Sequence, residues 1–443
     1  MQARDSLHKQ NMNMLPEFQK MVCSRSFWRQ IAGYQNGVLK RVFPIPRPPH
    51  AKVANPVPRH WLIAKLFDMT LITNCPACMS SKWRALPGWP NQSMLSDGRS
   101  VAAPLEKKHC EVCGLIRHSM PPSQTEIEAI FNQDYALHAR LVGNVFESQR
   151  QSLYADWIQD LLGASPIHSI FEIGAGTGSL MAELRRRAPQ WRLKGVEPVA
   201  SAVSKAATDL DIEVGLLRDI DTASLKVDVV LSVNVMEHVH DPVEFLLQSR
   251  AALSEGGRIL VICPDGDRPT TEMLIYDHIH SFTLRSFEKI AQRAGLLMTD
   301  RQPAPAALGA FQAVILVAGP VTTDVSPMID DLYERRSHFL HRWQKLEHVL
   351  LERIGSCSNL WAFGSGENAQ LLRAYAPRAW DKVQGIMADG AGVFDGRPIT
   401  PYEAAEIGGE RTILLAVRSD IQARVEDRLA ADGHKVVRWD DLV

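Results

Sequence analysis

Long apolar runs are missing from this chain: no stretch of about 18 apolar residues occurs, so no membrane-crossing helix is expected. The first 20 residues are polar and lack the apolar centre of a secretory signal. An excess of charge of one sign is also missing. Lys and Arg total 49 against 50 Asp and Glu, a net charge of −1, which gives the molecule no electrostatic footprint for nucleic acid or an anionic membrane. Disulfide chemistry is poorly served by seven cysteines. Four of them form close CxxC pairs, which suits a reducing compartment and a metal better. These absences predict a cytoplasmic protein with neither nucleic-acid nor membrane partners.

What is present is ordinary in bulk and uneven in detail. Apolar residues make up 45% and charged residues 22%, the balance of a globular protein. A length of 443 residues suits two to four domains. Residues 1–60 hold ten Lys or Arg against Asp5 and Glu17, a local excess of +8 that leaves −9 for the remainder. Pro48, Pro49, Pro56 and Pro58 predict extended, mobile chain there. Residues 1–68 therefore read as a basic, Pro-rich extension, a solvated tail rather than a contact arm.

Residues 69–122 carry Cys75-x-x-Cys78 and Cys110-x-x-Cys113. Four thiolates are the complement for tetrahedral zinc. The 31 residues between the pairs exceed the usual spacing, but closing such a loop adds little entropic cost. An all-sulfur donor set leaves no open coordination position, so the metal is expected to be structural. Unliganded cysteines or an iron–sulfur centre are the alternatives.

An apolar run, Ile167 to Ile173, predicts a buried parallel strand. It carries Glu172 and ends in glycines at alternate positions: Gly174, Gly176 and Gly178. A helix-compatible stretch, Ser179 to Arg187, follows. Glycines let the backbone turn sharply and let a ligand approach the main chain, and the helix start suits a polar or anionic cofactor group. Nineteen residues past Gly178, a second strand ends in Glu197, a spacing that suits a carboxylate accepting from ribose hydroxyls. A dinucleotide fingerprint would need Gly or Ala at position 179, where Ser179 stands. The acid-x-Gly-x-Gly-x-Gly pattern instead resembles motif I of class I S-adenosylmethionine (SAM) methyltransferases. There the turn wraps the methionine end of SAM and the second-strand acid holds the ribose.

Residues 123–325 alternate strand and helix patterns, the signature of a doubly wound sheet. Further strands are expected at Ile212 to Leu216, Val227 to Ser232, Arg258 to Cys263 and Phe311 to Val317. Leu217, beside Leu216 after the first of these strands, is expected to flank adenine. Residues 326–443 begin with a long charged helix and continue as a second, smaller α/β unit with a Gly364-Ser365-Gly366 turn. The expected class is thus α/β: a Rossmann-like SAM methyltransferase sheet, an N-terminal zinc module and a C-terminal Rossmann-like domain.

This order of parts, with Cys110-x-x-Cys113-Gly114-Leu115 closing the first module, resembles the zinc-containing sugar C-methyltransferases. Such enzymes methylate a carbon next to the ketone of a keto-deoxy nucleotide sugar, so the resemblance implies SAM, structural zinc and a nucleotide-sugar acceptor. Tyr135 looks like the tyrosine that closes over SAM. Asn234 to Val239, containing His238, is similar to the stretch beneath the transferring methyl group. Tyr276-Asp277-His278 resembles the family's acid–His segment, with Asp277 where Glu is usual. Glu367-Asn368 stands where a Lys is expected, and a carboxylate there repels a diphosphate.

A carbon acceptor becomes nucleophilic only after losing a proton α to a carbonyl, so it needs a base and a donor aimed at the enolate oxygen. His278 fits the base, with Asp277 fixing its tautomer or sharing its proton. Tyr276 or His238 could donate to the enolate. The alternatives are O-methylation of a small metabolite or glycan, and a SAM-binding protein that docks to a partner without turnover.

Overall fold

The computed structural model describes residues 74–132, 145–163, 167–319, 325–403 and 410–442. Every described residue belongs to the unit Met69–Val443, and the basic, Pro-rich extension expected over residues 1–68 lies outside the described residues.

Seven strands build the central sheet: β1 (Ser169–Ile173), β2 (Arg192–Glu197), β3 (Asp211–Val214), β4 (Val227–Val233), β5 (Leu253–Pro264), β6 (Leu296–Pro303) and β7 (Phe311–Ala318). Their order is β6-β7-β5-β4-β1-β2-β3. The pairs from β5 to β3 are parallel, and β7 runs antiparallel to both its neighbours. Apolar side chains alternate between two cores, as the period of two in a strand requires. Val229, Leu231, Leu260 and Ile262 pack with Tyr154, Ile158, Leu180 and Leu184 on one face. Val230, Ile259 and Val261 pack with Phe245, Leu246, Phe287 and Ile290 on the other. Burial on both faces is why these strands read as continuous apolar runs.

Helix α1 (Gln124–Asn132) packs Ile130 and Phe131 against Val199 and Ala202. The helices that supply those faces are α2 (Val145–Leu162), α3 (Ser179–Arg187), α4 (Pro242–Ala251) and α5 (Leu284–Arg293). Capping fixes where two of them begin. The Asp241 carboxylate accepts from the Val243 and Glu244 amides with Pro242 at the first position, and the Thr283 hydroxyl accepts from the Ser286 amide.

Two elements depart from the expectation. β6 was absent from it: the strand sits at the sheet edge, only its first residue is buried, and its second half, Asp300-Arg301-Gln302-Pro303, is polar. The long helix α6 spans Leu332–Ile354 rather than starting near 326. Pro327 keeps the preceding residue extended, and Asp331 enters the helix with a left-handed φ of 60°.

The Cys-rich segment forms an antiparallel sheet from Trp83–Ala85, Lys107–Cys110 and Ile116–His118, and its fourth strand is His280–Ser281, from the loop joining β5 to α5. The C-terminal residues form a six-stranded sheet around parallel neighbours Leu360–Phe363, Val383–Ala388 and Thr412–Leu415. One apolar cluster joins all three parts: Trp89 and Met94, then Met273, Leu274 and Ile275, then Trp343 and Tyr375. The residues directly before Tyr276 are thereby clamped in a shared core.

Candidate active site

The glycine turn after β1, the end of β2 and the loops after β3 and β4 open onto one cavity of about 450 Å³. It lies beyond the carboxyl ends of the parallel strands, where doubly wound sheets bind ligands. Glu172, Gly174, Gly176, Glu197, Leu217, Asn234 and His238 all line it. Gly178 does not: it closes the turn at φ 72° as the residue before α3, and an added Cβ would meet Leu210 at 2.6 Å. Gly174 has φ +77°, and a Cβ there would stand 2.4 Å from Val235. Tyr135 lies outside the described residues.

Glu197 is positioned by two backbone amides, accepting from Gly176 N at 2.9 Å and from Val199 N at 2.9 Å. Burial pushes its carboxyl up, against the pull of those two bonds. Each oxygen keeps a lone pair for a ribose hydroxyl. Glu172 is different. Burial, then the nearby Glu197, pushes its carboxyl up to about 8, and its Oε2 is buried without a hydrogen-bond partner. Asn234, at φ 55°, donates to Tyr154 Oη at 3.5 Å while its Oδ1 has no partner. Two orphaned acceptors beside a glycine turn fit a ligand that brings hydrogen-bond donors and positive charge, as the methionine end of SAM does. The cavity therefore fits that cofactor.

Tyr276, Asp277 and His278 lie behind His238 rather than on the cavity wall. The His238 and His278 rings meet edge-on at 4.8 Å, and donor atoms of Glu237, His238 and His278 all lie within 4.8 Å of one another. His238 Nδ1 is 2.9 Å from the Asp277 carbonyl oxygen. A carbonyl only accepts, so Nδ1 carries the proton and Nε2 keeps the lone pair. His238 can therefore donate to an enolate only when doubly protonated, and burial, then His278, pulls it down to about 4.

The acid beside His278 is not the expected one. Asp277 turns to His238, 3.6 Å from its Nδ1, and its carboxylate accepts from Ser96 N at 2.8 Å and Ser96 Oγ at 2.5 Å. The carboxylate within ion-pair range of His278 is Glu272, 3.6 Å from Nδ1. Burial alone would lower His278, but Glu272, Glu237 and Asp277 outweigh it and hold the imidazole above its usual 6.5. Burial pushes Glu237 up to about 7, against the pull of His278. Glu272 is buried too, yet His278 and Lys107 hold it below the usual carboxylate range. Tyr276 packs edge-on against His118, and burial pushes its hydroxyl up to about 12, so it stays a neutral donor.

Sequence reasoning missed Glu272, Ser96 and Lys107. None stands in a motif; only the fold brings a loop residue, a hairpin serine and a strand lysine together. Glu237 was visible beside His238, but its burial was not. In the C-terminal domain, Glu367 starts its helix and accepts from Thr271 Oγ1 at 3.0 Å.

The four cysteines converge. Cys75 and Cys113 sulfurs are 3.5 Å apart, as are those of Cys78 and Cys110, and all four lie within 4.8 Å of one another. Tetrahedral zinc with sulfurs at roughly 2.3 Å needs sulfur–sulfur distances of about 3.8 Å, so the donor set fits. This knuckle also touches the loop after His278: Thr283 Oγ1 donates to the Cys113 carbonyl at 2.7 Å, and Arg285 Nε to the Val112 carbonyl at 2.9 Å.

Residues 146–300 match a family described as a methyltransferase domain. That stretch, less than half of the chain, contains the glycine turn, Glu197, His238 and the Tyr276–His278 segment. An uncharacterised 37.1 kDa protein of a Streptomyces fradiae transposon is 28% identical over 207 residues, which cover 42% of this chain and 59% of that protein's length. Among solved structures, the mitomycin 7-O-methyltransferase MmcR is 20% identical over 44% of this chain and 60% of its own, with a TM-score of 0.37. The plantazolicin methyltransferase BpumL, in complex with SAH, is 15% identical over 43% of this chain and 93% of its own, with a TM-score of 0.35.

Proposed function

We propose that this protein is a SAM-dependent methyltransferase acting on carbon, next to the ketone of a nucleotide-linked deoxy sugar. The observation that carries the reading is the buried cluster of two imidazoles and three carboxylates behind the cavity wall. Transfer to oxygen needs little more than one base. Removing a proton from carbon needs a tuned base whose charge, once formed, is compensated.

When bound, SAM supplies an electrophilic methyl group. The chain supplies the rest. Glu197 accepts from the ribose, Leu217 flanks the adenine, and Glu172 with Asn234 faces the methionine end. His278, the more basic imidazole, lies behind His238 and receives the α-proton by way of His238, the imidazole on the cavity wall. The imidazolium formed is stabilised by Glu272 and Glu237. His238 stands between that base and the acceptor, its tautomer fixed by Asp277. The four thiolates would hold a structural zinc, and the knuckle they form keeps the loop after His278 in place through Thr283 and Arg285.

The test is to incubate purified protein with methyl-¹³C SAM and a panel of keto-deoxy nucleotide sugars, then locate the label by NMR. Label on the carbon next to the carbonyl supports the reading. Binding of SAM with no transfer across the panel sinks it and favours a docking role. A second reading, O-methylation of a small metabolite or glycan, is favoured by Glu367, which sets a carboxylate where a diphosphate would need a cation. Label on oxygen would select it.

A further inference from the structure

We propose that Lys107 is a positioning residue for the base: its buried ammonium, carried in on the strand that ends at Cys110, shares the charge of the Glu272 carboxylate with the imidazoles and so sets the protonation of His278 and His238. The inference deepens the proposed function and rests on it.

Strand alternation separates two neighbouring lysines. Lys108 points outward, its Nζ 4.6 Å from the centre of the Trp83 ring. Lys107 points inward and is 3% exposed. Long lysine side chains normally carry their charge to water, and this one does not. Its ammonium donates to the Glu272 backbone carbonyl at 3.4 Å, a long bond for a group with three donors. A cation kept in such a place needs charge compensation, and the carboxylates of Glu272 and Asp277 supply it.

Charged groups face this cluster from several elements. The loop after β5 contributes Glu272, Asp277 and His278, and the turn after β4 contributes Glu237 and His238. Arg117 on the neighbouring strand acts on His280, Arg336 of α6 feels Glu272, and Glu126 of α1 acts on Tyr276. Lys107 and His278 together hold the Glu272 carboxylate below its usual range. Without Lys107 that carboxylate would bear more heavily on the imidazoles. Burial pulls the Lys107 ammonium down to about 8, close enough to neutrality for its charge to matter to the pH profile, and that charge in turn lowers His238.

The sign follows directly. Removing a positive charge favours protonated imidazole, so Lys107→Met raises the midpoint of His278, by roughly one pH unit for a charge several ångströms away at an effective dielectric near 20. Lys107→Arg restores it. The readout is the ¹³Cε1 titration of selectively labelled histidines in the full chain, with signals assigned through His278→Asn and His238→Asn. This measurement needs no turnover, so a failed methylation assay and a failed role for Lys107 are told apart. A folded Lys107→Met protein whose His278 and His238 midpoints match wild type overturns the proposal. If that variant does not fold, the Lys107 ε-carbon titration in wild type decides. A midpoint near 8 supports the proposal, and an ordinary value of about 10.4 overturns it.

Discussion

Replacing Glu172 by Gln should make the protein more stable and a poorer binder of SAM. Glu172 is 4% exposed, and its carboxyl is pushed from the ordinary 4.5 to about 8. The unfolded chain therefore loses this proton first. Between those two values the folded state holds more protons than the unfolded one, so stability falls as pH rises. The loss is about 1.4 kcal/mol per pH unit above 4.5, on the order of 3 kcal/mol at pH 7. Glu172→Gln removes that penalty, and for a unit of this size the gain corresponds to about 4 °C in Tm. The gain should vanish near pH 5 and grow towards pH 8. SAM brings positive charge to this carboxyl, so binding should release a proton below pH 8 and tighten as pH rises. Thermal melts from pH 5 to 8.5, with and without SAM, test the stability half. Calorimetry in buffers of different ionisation enthalpy counts the released proton. A variant that melts lower than wild type at pH 8, or that binds SAM with undiminished proton release, would refute the reasoning.

Three further outcomes are expected. His278→Asn should lower kcat by roughly 10²–10⁴-fold with the SAM Kd unchanged, and in wild type the rate should rise with pH through a midpoint above 6.5, because His278 must be neutral to act. Stopped assays across pH check both. Gly174→Ala should weaken SAM binding at least about tenfold, since a left-handed φ costs roughly 1–2 kcal/mol and the new methyl collides with Val235; calorimetry measures it. Cys113→Ser should abolish zinc retention, read by metal analysis, and depress turnover more than SAM affinity, because Thr283 and Arg285 lose the frame they bond to.

That the glycine turn and its neighbouring acids share one cavity was legible because the pattern is local. A strand, a glycine turn and a carboxylate one strand later are neighbours in sequence as well as in space, and Glu172, Glu197 and Asn234 line one cavity. The cysteine pairs were legible for the same reason. The acid–base half was legible only in outline. Tyr276-Asp277-His278 advertised itself, but which acid serves which imidazole depends on a loop folding back: Asp277 went to His238 and Glu272 to His278. Nothing in the pattern around Lys107 distinguishes it from Lys108 until strand register assigns them opposite faces. The edge strand Leu296–Pro303 was lost because half of it faces water and carries no apolar period.

The two-residue strand His280–Ser281 has a practical consequence. An excised piece covering only 69–122 would present Ile116–His118 as a bare edge, without the strand that pairs with it, and should misassemble even with metal supplied. Nor can the two halves be traded separately between homologous enzymes. A chimera that exchanges the metal cassette must import the matching 264–285 loop with it, or the graft will fail at that seam.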